Sequence, residues 1–185
     1  MKINEAVIRH SYEQTANRLA RLSLFAEKGE AEGYSYEVTF RQEQLATDDI
    51  INVSIACRRL VDALGLREKS LGRDVLALSP IVQWAPATPR PTNLSLHETL
   101  NKIIHSSYIE IFGFTFQLQP TASAEDAYKI VLEKEKFRIP PLLAVKSDRG
   151  PLTLCDLKDL CNAIDDILDA ASEAASERSI YLGEF

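Results

Sequence analysis

Residues 95–118, SLHETLNKIIHSSYIEIFGFTFQL, decide the fold, because a helical pattern in their first half changes directly into a strand pattern in their second half. Ser95 and Glu98 have the spacing of a capping box, in which the two residues satisfy each other's backbone donors. We therefore expect a helix that begins at Ser95 and runs to about Ser106. Its apolar residues recur every three or four positions, which places them on one side of the helix.

The strand pattern lies in YIEIFGFTFQLQ, which follows this helix directly. Successive side chains of a strand point to opposite faces, and the alternation here changes phase at Phe112 and Gly113, where a bulge would restore one inward face. Residues 128–132 and 142–145 are candidate partner strands, and the polar sequence EKEK between them fits a turn. These patterns predict a small antiparallel sheet of about three strands.

Three further segments have the apolar spacing of amphipathic helices. The first covers about residues 4–28. The second runs from Gln42 or Thr47 to Leu64, with Thr47 as a candidate N-cap and a glycine at its end. The last is expected over residues 153–177, directly after the predicted sheet.

Two stretches show no helical pattern. Residues 34–40 form either a short extended piece or a loop. Residues 72–93 contain several prolines, which remove backbone donors and restrict their neighbours, so a long ordered loop or an internal linker is expected there. Trp84 lies within it, and a large aromatic in such a loop more often anchors the loop to the core than binds a ligand.

These elements together predict a mainly α protein of the α+β class. The expected architecture is a bundle of about four long helices, with a small antiparallel sheet inserted before the last helix. The chain has 185 residues, of which 45% are hydrophobic and 26% charged. This size and composition fit one domain over residues 1–185, with the β insertion at about 108–147.

The charge balance excludes some classes of function. With 21 basic and 27 acidic residues, the formal net charge is -6, which argues against a general nucleic-acid coat or an anionic-membrane binder.

Apolar runs are far shorter than the roughly 20 residues that span a bilayer, and Glu5 and Glu13 lie where a secretory signal would be apolar. The cysteines, Cys57, Cys155 and Cys161, match no zinc or redox spacing. We therefore expect a cytoplasmic protein that uses no metal and no other cofactor.

The helix that begins at Ser95 carries the candidate catalytic residues on its polar side. His97 and Glu98 are expected on the same side. Asn101 and His105 are one turn apart, and Lys102 flanks His105. An imidazole with a pKa of about 6.5 can exchange a proton near neutrality, and a nearby ammonium favours its neutral, basic form. An amide and an ammonium can orient and stabilise a phosphate. This set suits RNA transesterification, in which a base removes the 2′-hydroxyl proton.

The same residues also fit an ordinary surface helix, in which Glu98 and Lys102 form a favourable i,i+4 pair. A metal site fits less well, because His97 and His105 are about 12 Å apart along a helix axis. Candidate RNA-binding residues lie at the end of the second predicted helix, where Arg58 begins a basic stretch with Arg59 as its second member.

The last predicted helix has an acidic outer face. A run of acids at this spacing is usually a solvated face rather than a metal site, since no histidine joins it. The face is also a candidate docking surface for a protein partner. Its members are Asp156, Asp159, Asp165, Asp166 and Asp169.

The phrase ETLNKIIHSS, followed by YIEIF and placed among long helices, resembles the late helix of HEPN proteins, a nucleotide-binding family of bacterial toxin, defence and RNA-processing systems. The resemblance implies a helical bundle, often a symmetric dimer, in which a polar residue and a histidine meet their copies to cleave RNA without a metal. The family motif is an arginine, then four to six intervening residues, then a histidine. Only His105 matches, because Glu98, Thr99 and Leu100 occupy the positions where the arginine would lie.

The sequence leaves two hypotheses open. The first is a HEPN-like ribonuclease or RNA-binding component of a bacterial defence or toxin–antitoxin system. It would act as a homodimer with His105 as general base or acid and with Asn101 and Lys102 as positioning groups. The second is a non-catalytic interaction module, either a degenerate member of that family or an unrelated α+β protein, that docks a partner through its acidic helix or proline-rich loop. The missing arginine and the net charge of -6 favour the second.

Overall fold

The computed structural model describes residues 4–28, 36–79, 90–112, 141–148 and 152–183. Within these ranges the chain forms five α-helices and a five-stranded antiparallel sheet, which confirms a mainly α protein of the α+β class. In chain order the elements are α1 (Glu5–Lys28), α2 (Tyr36–Leu64), α3 (Arg67–Gly72), β1 (Asp74–Ser79), β2 (Arg90–Ser95), α4 (Leu96–Ile104), β3 (Ser106–Phe112), β4 (Leu142–Ser147), β5 (Thr153–Asp156) and α5 (Leu157–Glu177).

Helix α1 agrees with its prediction, whereas α2 begins earlier than predicted, at Tyr36. The described part of residues 34–40 is therefore helical and is not an extended piece or a loop. Thr47 is not the N-cap, because it lies inside α2 and its Oγ1 donates to the backbone oxygen of Glu43 at 2.9 Å. α2 as a whole packs against α1, and such tertiary packing supplies most of the stability of a helix in a protein. Gly65, with a φ of 71°, ends the helix as predicted.

The described parts of the proline-rich stretch contain two strands. β1 and β2 pair antiparallel within it, which corrects the expectation of a continuous loop or linker. Pro91 is tolerated because β2 lies at one end of the described strand order β2-β1-β5-β4-β3, where one edge of the strand needs no donor. Trp84 lies outside the described residues, and the short helix α3 was not predicted.

The sheet is larger than the three strands expected. β4 confirms the predicted strand at 142–145, and it pairs with β3 on one side and β5 on the other. β5 occupies the first residues assigned to the last helix, so α5 begins at Leu157. Asp156 caps it by accepting from the backbone N–H of Asp159 at 2.9 Å. The predicted strand at 128–132, the EKEK turn and the Gly113 end of the bulge lie outside the described residues.

The helices and one face of the sheet share a single apolar core. Val75 in β1, Cys155 in β5 and Leu143 in β4 are fully buried and belong to the same cluster as the inner faces of α1, α2, α4 and α5. Helix α4 contacts both α2 and the sheet, while α1 contacts α2 and α5. Among the described helices, none combines the length and the apolar character needed to cross a membrane.

Candidate functional site

The start of α4 is fixed by the capping box that the sequence predicts. The hydroxyl of Ser95 accepts from the backbone N–H of Glu98 at 3.2 Å, and the carboxylate of Glu98 accepts from the backbone N–H of Ser95 at 3.0 Å. The hydroxyl of Ser95, whose Oγ donates to Oε2 of Glu98 at 2.8 Å, and the backbone N–H of Ser95 together hold the pKa of Glu98 below its ordinary value. The box sets the rotation of α4, which turns Leu96 and Leu100 into the core.

The three candidate catalytic residues have different surroundings in the described part of the chain. His105 is exposed at the C-terminal end of α4, where its backbone N–H donates to the carbonyl of Asn101 at 3.0 Å. Lys102 is half-buried and its Nζ donates to the hydroxyl of Thr153 in β5 at 2.8 Å. Asn101 is half-buried. Within the described part of the chain, no side chain hydrogen-bonds to the imidazole of His105.

The imidazole that meets an arginine is His97, eight positions before His105. Its side chain was expected on the polar side of α4, but the residue is only 8% exposed because α2 and α3 cover that flank. Nη1 of Arg58 lies 2.7 Å from Nδ1 and 2.8 Å from Nε2 of this ring. The buried hydroxyl of Ser70 lies 3.5 Å from Nδ1.

This contact requires a neutral imidazole. A guanidinium group can only donate and a doubly protonated imidazole has no acceptor, so one of the two ring nitrogens near Nη1 of Arg58 must be unprotonated. Burial lowers the pKa of His97 below its ordinary value, and the positive charges of Arg58 and Arg67 lower it further. Arg58 is also held by Asp62, whose carboxylate lies 3.5 Å from Nη2. Arg59, the second candidate RNA-binding residue, is exposed.

The acidic face of α5 is partly neutralised. Arg73 contacts Asp166 at 2.6 Å and Asp159 at 3.4 Å. Asp159 also accepts from the backbone N–H of Leu76 in β1 at 2.6 Å, so it ties the helix to the sheet. The expected solvated face is thus in part a set of structural contacts. In the described ranges, no cluster of three or more histidine, cysteine or acidic residues could hold a metal ion.

An apolar groove lies between α1 and α2. Its volume is about 800 Å³. Leu22 and Ala46 are buried in it, while Leu24 and Leu45 are 56% and 64% exposed at its walls. Large apolar side chains exposed along one concave surface are one mark of a protein–protein interaction site.

A buried carboxylate joins the two walls of the groove. Asp49, whose side chain is 9% exposed, accepts from Nη1 of Arg18 at 3.0 Å and from Nε and Nη2 of Arg21 at 2.8 and 2.6 Å. Hydrogen bonding to Asp49 raises the pKa of the Arg21 guanidinium above its ordinary value. Two cations therefore share one buried anion, and the arrangement fixes the position of α1 relative to α2.

Sequence reasoning missed this groove, although one signal pointed to it. Asp49 follows closely after Thr47, the candidate N-cap, where the helix dipole alone would accommodate an acidic residue. Its neighbours on the helix face, Ala46 and Val53, are apolar and buried. An acidic residue three or four positions from core residues lies on the buried face of its helix, and a buried carboxylate needs a cation. Arg18 and Arg21, which lie one turn apart on α1, can supply it.

Comparisons of this chain with protein-family models, with curated protein sequences and with solved structures found no match. The chemistry of the groove and of the Arg58–His97 contact therefore carries the functional argument.

Proposed function

We propose that the protein is a non-catalytic protein–protein interaction module and that the groove between α1 and α2 is its docking surface. The observation that carries the proposal is the exposure of Leu24 and Leu45 on the two walls of one apolar groove. Full burial of a leucine side chain is favourable by about 1.5–3 kcal/mol, and a partner that covers both residues would gain about half of that from each. The groove thus offers binding energy that the described part of the chain leaves unused.

The surroundings of the candidate catalytic residues support a binding role over a catalytic one. Phosphate cleavage needs cations close to the general base. The ammonium of Lys102 is engaged by Thr153, and the guanidinium of Arg58 is engaged by His97. His105 is left without a described cation beside its ring.

Site-specific photo-crosslinking tests the proposal. A photoreactive amino acid replaces Leu45 in the groove or, as a matched control, Leu71, which is 45% exposed on α3 outside the groove. We expect a discrete protein adduct from position 45 only, in cells that carry this gene. The partner is then identified by mass spectrometry and its binding is repeated with purified proteins. No adduct at position 45, or equal adducts at both positions, would contradict the proposal.

A metal-independent ribonuclease of a defence or toxin–antitoxin system is the second candidate, and the contact between Arg58 and His97 favours it. An arginine and a neutral histidine are the pair that such cleavage uses, one for phosphate charge and one for proton transfer. Such an enzyme would act as a homodimer, with Arg59 as an additional RNA contact. It would have to expose the imidazole of His97, a residue that is only 8% exposed in the isolated chain. That requirement places it second.

An RNA cleavage assay separates the two candidates. Purified protein is incubated with tRNA, mRNA and single-stranded RNA in the presence of EDTA. Cleavage that is lost in His97→Ala or His105→Ala, while both variants keep a cooperative melting transition, would favour the ribonuclease. Intact RNA with the wild-type protein at every concentration would remove it.

A further inference from the structure

We propose that the groove between α1 and α2 binds an amphipathic α-helix of a partner protein, with acidic residues along one flank of its apolar stripe and basic residues along the other. This inference rests on the proposed docking function and names the chemistry of the occupant. It follows from the different charges of the two groove walls.

The α1 wall carries guanidinium donors that remain available to a ligand. Arg18 uses Nε for Gln14, at 3.2 Å, and Nη1 for Asp49. Arg21 uses Nε and Nη2 for Asp49. A guanidinium has five N–H donors, so Nη2 of Arg18 and Nη1 of Arg21 have no hydrogen-bond partner within the described ranges. Arg21 is also 59% exposed, so a carboxylate can reach it from solvent.

The α2 wall carries the opposite charge. Asp48 lines the groove and is exposed, and its backbone oxygen accepts from the side chain of Asn52 at 2.7 Å. No ion pair to its carboxylate is present in the described part of the chain. Its neighbour Asp49 is already neutralised by the two arginines, so Asp48 is the acidic group that an occupant of the groove would meet on this side.

The floor between these walls is apolar. Leu22 and Ala46 are buried at the bottom, Phe25 is half-buried, and Leu24 and Leu45 flank them. An amphipathic helix presents an apolar stripe with polar positions on each side, which is the same arrangement in complementary form. Its carboxylates would meet Arg18 and Arg21, and its basic residues would meet Asp48. The basic flank would also be attracted by the net charge of -6 of this chain.

A displayed peptide library tests this inference on the full chain. The probe is a helical peptide with leucine fixed at the apolar positions and with each flank position randomised between Glu and Lys. We expect sorting against the wild-type protein to enrich Glu on one flank and Lys on the other. No enrichment, or flanks that stay random after sorting, would overturn the inference.

Groove variants make the test specific. Asp48→Lys should weaken the selected peptide about tenfold and should select Glu on both flanks when the library is sorted again. Leu45→Asp should abolish binding, whereas the control Leu71→Asp should leave the affinity unchanged. Equal affinities for wild type and Asp48→Lys would overturn the charge argument.

Sedimentation of the protein alone tests the other possible occupant. A wild type that dimerises, together with a Leu45→Asp variant that is monomeric, would show that a second copy of the chain fills the groove and would overturn the inference. The crosslinking experiment tests the docking function separately from the chemistry of the occupant. A groove adduct with a partner that lacks the two charged flanks would retain the docking function and remove only the chemistry assigned to the occupant.

Discussion

Removing both arginines that surround Asp49 should destabilise the protein far more than removing either one. The carboxylate is 9% exposed, whereas the side chains of Arg18 and Arg21 are 26% and 59% exposed. After Arg21→Ala, Arg18 still donates to Asp49 at 3.0 Å. After Arg18→Ala, both bonds from Arg21 remain. Each single change should therefore cost about 1 kcal/mol of unfolding free energy, as for other partly exposed ion pairs.

The double variant leaves a buried carboxylate without a cation. Loss of the last partner of a buried charge typically costs about 3–5 kcal/mol, and access of water to this partly exposed site places the expected value near the lower end. Adding Asp49→Ala to the double variant removes the orphaned charge. The triple variant should then be more stable than the double variant by about 2 kcal/mol, although it has lost one more native side chain.

Urea unfolding followed by circular dichroism measures all four variants against the wild type. The comparison depends on differences in midpoint at constant slope, since an altered slope would indicate a change in the unfolded ensemble. Additive single effects, or a triple variant less stable than the double variant, would refute the view that Asp49 is a buried anion sustained by two cations.

Three further predictions concern other parts of the fold. Because the folded-state pKa of His97 is below the value of about 6.5 of the unfolded chain, its contribution to stability is present above that pH and is lost as the pH falls through the folded-state pKa. The urea midpoint of the wild type should therefore drop more between pH 7.5 and 5 than that of His97→Gln; equal drops would contradict this, since both proteins keep the two exposed histidines. Ser95→Ala should cost about 1 kcal/mol by removing the capping box, and coincident melting curves would show that the box does not stabilise α4. Burial raises the pKa of Cys57, Cys155 and Cys161 to about 12, so a thiol reagent at pH 8 should label none of them before the protein unfolds, and rapid labelling of the native protein would contradict their burial.

The parts of the fold that the sequence predicts are those that local physical chemistry determines. The apolar period of α1, the capping box at Ser95 and the glycine after α2 each depend on residues within a few positions of one another. The first strands were missed for the opposite reason. The prolines of residues 72–93 locally disfavour regular structure, and only the pairing of β1 with both β2 and β5 makes strands favourable there.

The boundary between β5 and α5 shows the same limit. Leu154 and Leu157 have helical spacing, which extended the predicted helix back to Thr153. In the structure Leu154 pairs with Ala144 and Leu157 begins the helix, so tertiary pairing overrides a pattern that one helix would also satisfy. For the candidate site, helical spacing placed His97 with the polar residues of α4, and only the position of α2 and α3 shows that it is covered. No local pattern indicates that Arg58, 39 positions earlier, is its partner.

The charged groups that already have a partner within the fold give the strongest reason to propose a binding function rather than a catalytic one. A general base and the cations that stabilise a phosphate must be free to contact the substrate. In this protein the imidazole of His97 is held by Arg58, the ammonium of Lys102 is held by Thr153, and Arg73 joins α5 to the sheet. The guanidinium groups of Arg18 and Arg21 differ, because Asp49 fixes their orientation without using all their donors. They are pre-organised beside exposed leucines, and this arrangement fits the proposed docking surface.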